Sequence, residues 1–376
     1  VDAYVIDWLN LLVRWLHFIA GVAWIGASFY FIWLDGHLEA PADPDDDARG
    51  VGGEVWSVHG GGFYHAQKYR VAPGQLPETL HWFKWEAYAT WLSGMALLII
   101  VFYWNAQTYM LDPEVSGVTA TTAIAIGLLS LLSSWIVYDL LCCSKLSKYE
   151  GLLAGLIFAW FVILAWALST WLSGRAAYIH VGAAIGTIMV ANVFRVIIPA
   201  QKDLVAAVSQ ERTPDGSKGK KALQRSKHNK YLILPVLFIM ISSHYPATYN
   251  HPQNWLVLLL FSLAGIAVRH YFNIRHLPGF RAWPLIPALL LLIGLIIVTA
   301  PEPVKISQNG TPAVSVPTSD IYVVIEQRCS QCHSAVPGFQ GFTSAPLGIE
   351  LDSQEKLLQH AEKVYQAVVL TRTMPL

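Results

Sequence analysis

Eight stretches of this chain are long enough and apolar enough to cross a lipid bilayer, and that pattern excludes most folds before any single residue is weighed. They run approximately over 8–34, 85–104, 118–141, 151–172, 176–199, 231–249, 254–274 and 282–299. A helix needs roughly 20 apolar residues to cross the hydrocarbon core. Lipid offers no partner to a free peptide group, so each stretch is expected to be helical. The sixth is the least regular, because Pro235 and Pro246 interrupt it. Composition agrees: 13% of residues are charged, about half the ~25% of soluble domains. The fold class expected is all-α, a polytopic transmembrane helix bundle of about eight spans over residues 1–299.

Charge placement gives an orientation. The loops after the first, third, fifth and seventh stretches carry sixteen Lys and Arg, among them Arg49, Lys68, Lys84, Lys145, Lys218 and Arg281. The loops after the second, fourth and sixth carry only Arg175. By the positive-inside rule both ends of the chain are expected outside the cytoplasm, in a bacterial cell membrane with the tail in the periplasm. No cleavable signal peptide is visible, since the first apolar run holds Asp2 and Asp7 and is too long for one. The formal net charge is zero, so the partner implied is a lipid bilayer and not nucleic acid. Residues 300–317 are rich in Pro, Ser and Thr and read as an extended linker. Residues 318–376 have the composition of a small soluble domain, with helices expected near 319–328 and 353–370.

Cys329-Ser330-Gln331-Cys332-His333 is the sharpest motif. Two thiols at this spacing add to the two vinyl groups of one porphyrin, and the adjacent His333 becomes the proximal iron ligand. Met374, followed by Pro375, is the expected distal ligand. The tail therefore reads as a small all-α class I cytochrome c domain carrying covalent haem c. A zinc site is the competing reading of the cysteine pair, but no second Cys/His pair lies nearby to complete it. Small cytochromes c normally carry a further helix after the methionine. The tail is therefore expected to be cut short or to lack an ordered end.

Ionisable residues at membrane depth are costly and mark function by default. Arg14 and His17 lie in the first stretch, His180 and Arg195 in the fifth, and His244 in the sixth. Two of His17, His180 and His244 are candidates to hold a non-covalent haem b; histidines hydrogen-bonded across helices are the alternative. Arg14, Arg195 and His59 are candidates to bind an anionic substrate. The long inner loop contains Ser57-Val58-His59-Gly60-Gly61-Gly62-Phe63-Tyr64-His65 and then Leu80-His81-Trp82-Phe83-Lys84-Trp85-Glu86. Its glycines would let backbone approach a ligand, and its aromatic, His, Lys and Glu groups are those that stack on and bind a planar heterocycle. A flexible loop with an interfacial aromatic anchor is the alternative. His65, His81 and Glu86 are the candidate general bases.

Leu16-His17-Phe18-Ile19-Ala20-Gly21-Val22-Ala23-Trp24-Ile25-Gly26, the His59–His65 glycine loop and His81-Trp82-Phe83-Lys84-Trp85-Glu86-Ala87 resemble the bacterial membrane-bound urate oxidases. That family joins an eight-span N-terminal domain to a C-terminal cytochrome c. The first-span pattern also resembles small membrane proteins that hold haem b through a histidine there. The resemblance implies oxidation of urate at C5 to 5-hydroxyisourate, with electrons passed to the fused cytochrome and on to a soluble cytochrome c or a terminal oxidase. It assigns no catalytic residue in the membrane part. Two other readings share the motifs: a non-catalytic electron-transfer subunit, and a quinol-oxidising cytochrome.

Overall fold

The structure is a computed structural model that describes residues 3–113, 115–277, 279–300, 316–338, 344–370 and 374. It is mostly helical. Eight main helices precede residue 300: α1 (Ala3–Gly36), α2 (Trp85–Leu97), α3 (Ala120–Cys143), α4 (Glu150–Trp171), α5 (Gly174–Ala191), α6 (Gly216–Ser242), α7 (Asn254–Ile274) and α8 (Leu285–Val298). A π-helical turn, Leu98–Tyr103, extends α2. A second, Asn192–Ile197, extends α5 into a further helix, Ile198–Ser209.

Six of these helices are long and apolar enough to cross a membrane. The other two fall short for visible reasons. The N-terminal half of α6 carries Lys218, Lys220, Lys221, Arg225, Lys227 and Lys230, and α8 is 14 residues long. Pro235 sits inside α6 without ending it, whereas Pro246 opens a separate short helix, Pro246–Tyr249. The expected sixth stretch is thus divided between the apolar C-terminal end of a longer helix and the short helix after it.

The core is centred on α5. Ala176, Ala177, Tyr178, Val181, Ala184, Ile185 and Ile188 are all buried, against Leu131, Leu153, Leu168, Leu232, Ile239 and Leu258 of its neighbours. Small residues let α5 sit in the middle, as expected where helices pack without a hydrophobic drive. Leu289, Leu290, Ile293, Ile296 and Ile297 of α8 instead point outward. Thr119 caps α3 and Ser173 caps α5, each accepting a backbone N–H with its side-chain oxygen.

The loop after α1 is not irregular. Val51–His59 (β1) and Gly62–Tyr69 (β2) form an antiparallel hairpin, with His59 opposite Gly62 and Trp56 opposite His65. The two-residue turn is Gly60-Gly61, with φ of +59° and +80°. Both values lie in the left-handed region that a primed hairpin turn requires and glycine permits. These glycines therefore serve the turn. The expectation of a purely helical chain missed this element. An ion pair between Lys68 Nζ and Asp35 Oδ1 at 2.7 Å ties the hairpin to the end of α1.

Beyond residue 315, the main helices are α9 (Thr318–Arg328), α10 (Gln354–Gln359) and α11 (Ala361–Tyr365). They bury only a small core of Ile325, Leu351 and Leu357. Residues 301–315, most of the expected linker, lie outside the described residues.

Candidate functional site

In the C-terminal module, the turn after α9 brings the motif together. Cys332 and His333 both donate their backbone N–H to Cys329 O, at 3.1 and 2.8 Å. Both cysteines are free, and burial pushes both thiols up from their ordinary pKa. His333 Nδ1 lies 2.9 Å from Ile349 O. A carbonyl oxygen only accepts, so Nδ1 carries the proton and Nε2 keeps its lone pair. A histidine ligand to iron needs that arrangement. Among the described residues, the module's buried apolar side chains are Ile325, Ala345, Leu351 and Leu357, a small core to which a porphyrin would add apolar surface. The residues fit haem c. Met374 anchors its backbone N–H on Ala367 O at 3.2 Å; its neighbours 371–373, 375 and 376 lie outside the described residues.

On the hairpin, His65 Nε2 sits 2.9 Å from Glu54 Oε2, and its ring stacks on Trp56 with centroids 4.2 Å apart and planes 7° from parallel. Glu54 is itself buried and held below the usual carboxylate range. The Ala42 N–H it accepts is the largest cause, with bonds from His65 and Gln67 adding to it. Glu54 therefore fixes the imidazole with Nε2 protonated, leaving Nδ1 as a proton acceptor. Glu54 was missing from the sequence reading. The signal was present as the alternation leading into Trp56, closed by a Gly-Gly doublet.

His81 is exposed with its ring edge-on to Phe83 at 4.6 Å. Glu86, in the first turn of α2, buries Oε2 with no hydrogen-bond partner. His59 is exposed at the hairpin turn. Arg14 donates to Asn10 Oδ1 at 2.9 Å on the open face of α1. Arg195 is exposed on the π-helical turn after α5. Among the described residues, no hydrogen bond or ring contact joins His65, His81 and Glu86 to one another.

The membrane histidines differ. His17 Nδ1 lies 2.9 Å from Thr90 O and 3.1 Å from Ser93 Oγ, which leaves Nε2 free. Its ring packs so tightly that a Cβ on Gly94 would come within 3.0 Å of it. Fully buried His180 uses both nitrogens: Nδ1 donates to Ala176 O at 2.8 Å and Nε2 accepts from Tyr103 Oη at 3.2 Å. His244 is exposed where α6 ends. Among the described residues, no hydrogen bond or ring contact joins these three histidines to one another.

Two buried arginines were also missing from the sequence reading. Arg225 of α6 sits in a polar network where the ends of α3 and α5 meet α6. It donates to Asp139 Oδ1 at 2.6 Å and Asn192 Oδ1 at 3.3 Å, over the Tyr138 ring. Tyr138 in turn meets His228 Nδ1 at 2.8 Å and Asn192 Nδ2 at 2.9 Å. Arg269 of α7 is fully buried, and none of its three guanidinium nitrogens has a hydrogen-bond partner. Its guanidinium carbon lies 4.3 Å from the Phe29 ring centroid.

The model of the urate oxidase N-terminal family matches residues 3–300. The chain belongs to that family. The match spans all eight main helices and the hairpin, and it stops before the module that carries Cys329, Cys332 and His333. Membership of the family ties this chain to urate, and its six long apolar helices are compatible with a multi-pass membrane protein. No curated protein and no solved structure matches the chain.

Proposed function

We propose that this chain oxidises urate within its membrane part and delivers the electrons to haem c held by its own C-terminal module. Urate and water give 5-hydroxyisourate, two protons and two electrons. The oxygen enters at C5 from water, and the protons must leave as the electrons do. Haem c, when bound, supplies a one-electron acceptor. Cys329 and Cys332 would hold it covalently, and His333 Nε2 and Met374 would be its iron ligands. In this reading the six long apolar helices cross the bilayer, the apolar end of α6 and the short α8 complete eight passages, and the loop charges support a cytoplasmic hairpin and a periplasmic module. A soluble cytochrome c or a terminal oxidase then takes the electrons.

Two histidine pairs on the cytoplasmic side are built to accept a proton. One is His65 with Glu54 on the hairpin. The other is His270 with Tyr231, where Tyr231 Oη lies 2.8 Å from His270 Nδ1. The position of the urate anion decides between them.

The observation that carries this reading is that the family match is followed, in the same chain, by a Cys-x-x-Cys-His turn whose His333 is already fixed in the iron-binding tautomer. The test compares membranes holding the intact chain with membranes holding Cys329→Ala/Cys332→Ala. The intact chain is expected to reduce added soluble cytochrome c when given urate, and the thiol-less variant is not. Equal rates from both would overturn the route. Reduction by quinol, with none by urate, would favour the quinol-oxidising reading.

A further inference from the structure

A guanidinium at membrane depth carries five N–H donors, and leaving them unpaired costs several kcal/mol. Proteins retain such a group where something else pairs with it. Arg269 is the case here: fully buried, with Nε, Nη1 and Nη2 all without a partner. Asn273 lies one helical turn further along α7 on the same face, and its Oδ1 is also buried without a partner. Donors and an acceptor thus stand unpaired on one face of α7. Next to Arg269 in sequence is His270, paired with Tyr231 and edged by Trp283 at 5.6 Å between centroids.

The charge around this spot is uncompensated. Arg269 lies close enough to Lys230 and Tyr231 to interact electrostatically with each. The carboxylate nearest Lys230 is Asp35, at 3.7 Å, and Asp35 already accepts from Lys68 at 2.7 Å. The cations outnumber the anion, and no carbonyl of the last turn of α7 accepts from the guanidinium. What stands in for a partner is the face of Phe29, a contact worth far less than an ion pair.

We propose that Arg269 and Asn273 form the anion-binding end of the substrate site. The guanidinium edge would take the oxygen and nitrogen atoms of a planar heterocyclic anion, and Asn273 Oδ1 would accept one of its ring N–H groups. Under the urate reading, on which this assignment rests, that anion is urate, and the Tyr231–His270 pair is the proton acceptor beside it. Phe29 is only partly buried. It covers the guanidinium. The class of ligand follows from the donor set: flat, singly negative, with adjacent acceptor and donor atoms on one edge.

The test uses the full-length haem-loaded protein and two readouts. The first is steady-state oxidation of urate. The second is equilibrium binding of 8-azaxanthine, a planar anion of urate's shape, to the oxidised protein by calorimetry. Arg269→Gln is expected to raise KM for urate and Kd for 8-azaxanthine by about 30-fold or more, with haem content unchanged. Arg269→Lys keeps the charge but loses the two-pronged contact, so a smaller rise of about tenfold is expected. Lys218→Ala, a surface residue paired with Asp203, is the control. Wild-type KM and Kd in Arg269→Gln would overturn the assignment and leave the urate reading standing. An intact chain that neither oxidises urate nor binds 8-azaxanthine would end the urate reading itself. Loss of folded protein in both Arg269 variants would show a structural role and also overturn the assignment.

Discussion

Two arginines, Arg225 and Arg269, are buried among the described residues, and their surroundings are opposite. Arg225 has a carboxylate, an amide oxygen and an aromatic face, and its neighbours Tyr138, Asn192 and Asn229 are bonded among themselves. Arg269 has an aromatic face alone. The same side chain is structural in one place and left open in the other. A satisfied buried network rigidifies the helices that contribute to it. An unsatisfied one costs stability, and selection keeps such a cost where binding or chemistry needs it.

The largest expected effect lies on the satisfied side. Arg225→Met removes the partner of Asp139 and breaks the link between α3, α5 and α6. With the Asp139 side chain 35% exposed, it should destabilise the protein by roughly 1.5–3 kcal/mol, measured as unfolding in detergent. Arg269→Met removes no bond, so the same change there should leave stability unaltered or raise it by about 1–4 kcal/mol, while urate turnover falls. If both variants lose stability equally, the distinction between the two arginines is void.

The eight apolar runs made the helical part of this fold legible without coordinates, because a span is a local property of composition. Pairing is not local. Arg269 sits near the end of an apolar run, where an arginine normally snorkels to water, and only the packing of Phe29 against it shows that it does not. Glu54 was hidden for a related reason. Its glycine-rich surroundings read as a loop, and only the register that sets Trp56 opposite His65 puts its carboxylate beside the imidazole. The Cys329–His333 motif was legible because its chemistry is written in five consecutive residues. The tautomer of His333 was not, since Ile349 is far along the chain.

Smaller effects sharpen the picture at the hairpin. Gly61→Ala would place a side chain at φ +80° and should cost about 1 kcal/mol of local stability, visible as faster amide exchange in β1 and β2. The His65–Glu54 contact should respond to acid in a defined direction. Glu54 has its folded pKa lowered from the ordinary value of 4.5. Its contribution is therefore fully present above that value and lost as the pH falls through the lower, folded one. Trp56 emission should report that loss in the wild type, and Glu54→Gln should lack the transition.

The central claim is that urate is oxidised in the helical part and that its electrons reach haem c in the same molecule. Mixing the purified, oxidised, full-length protein with urate in the absence of oxygen and of any other acceptor tests it directly. The haem c absorption should convert to the reduced form, with one 5-hydroxyisourate formed for each pair of haems reduced. Protein with intact haem c, reducible by dithionite but unchanged by urate, would contradict the account.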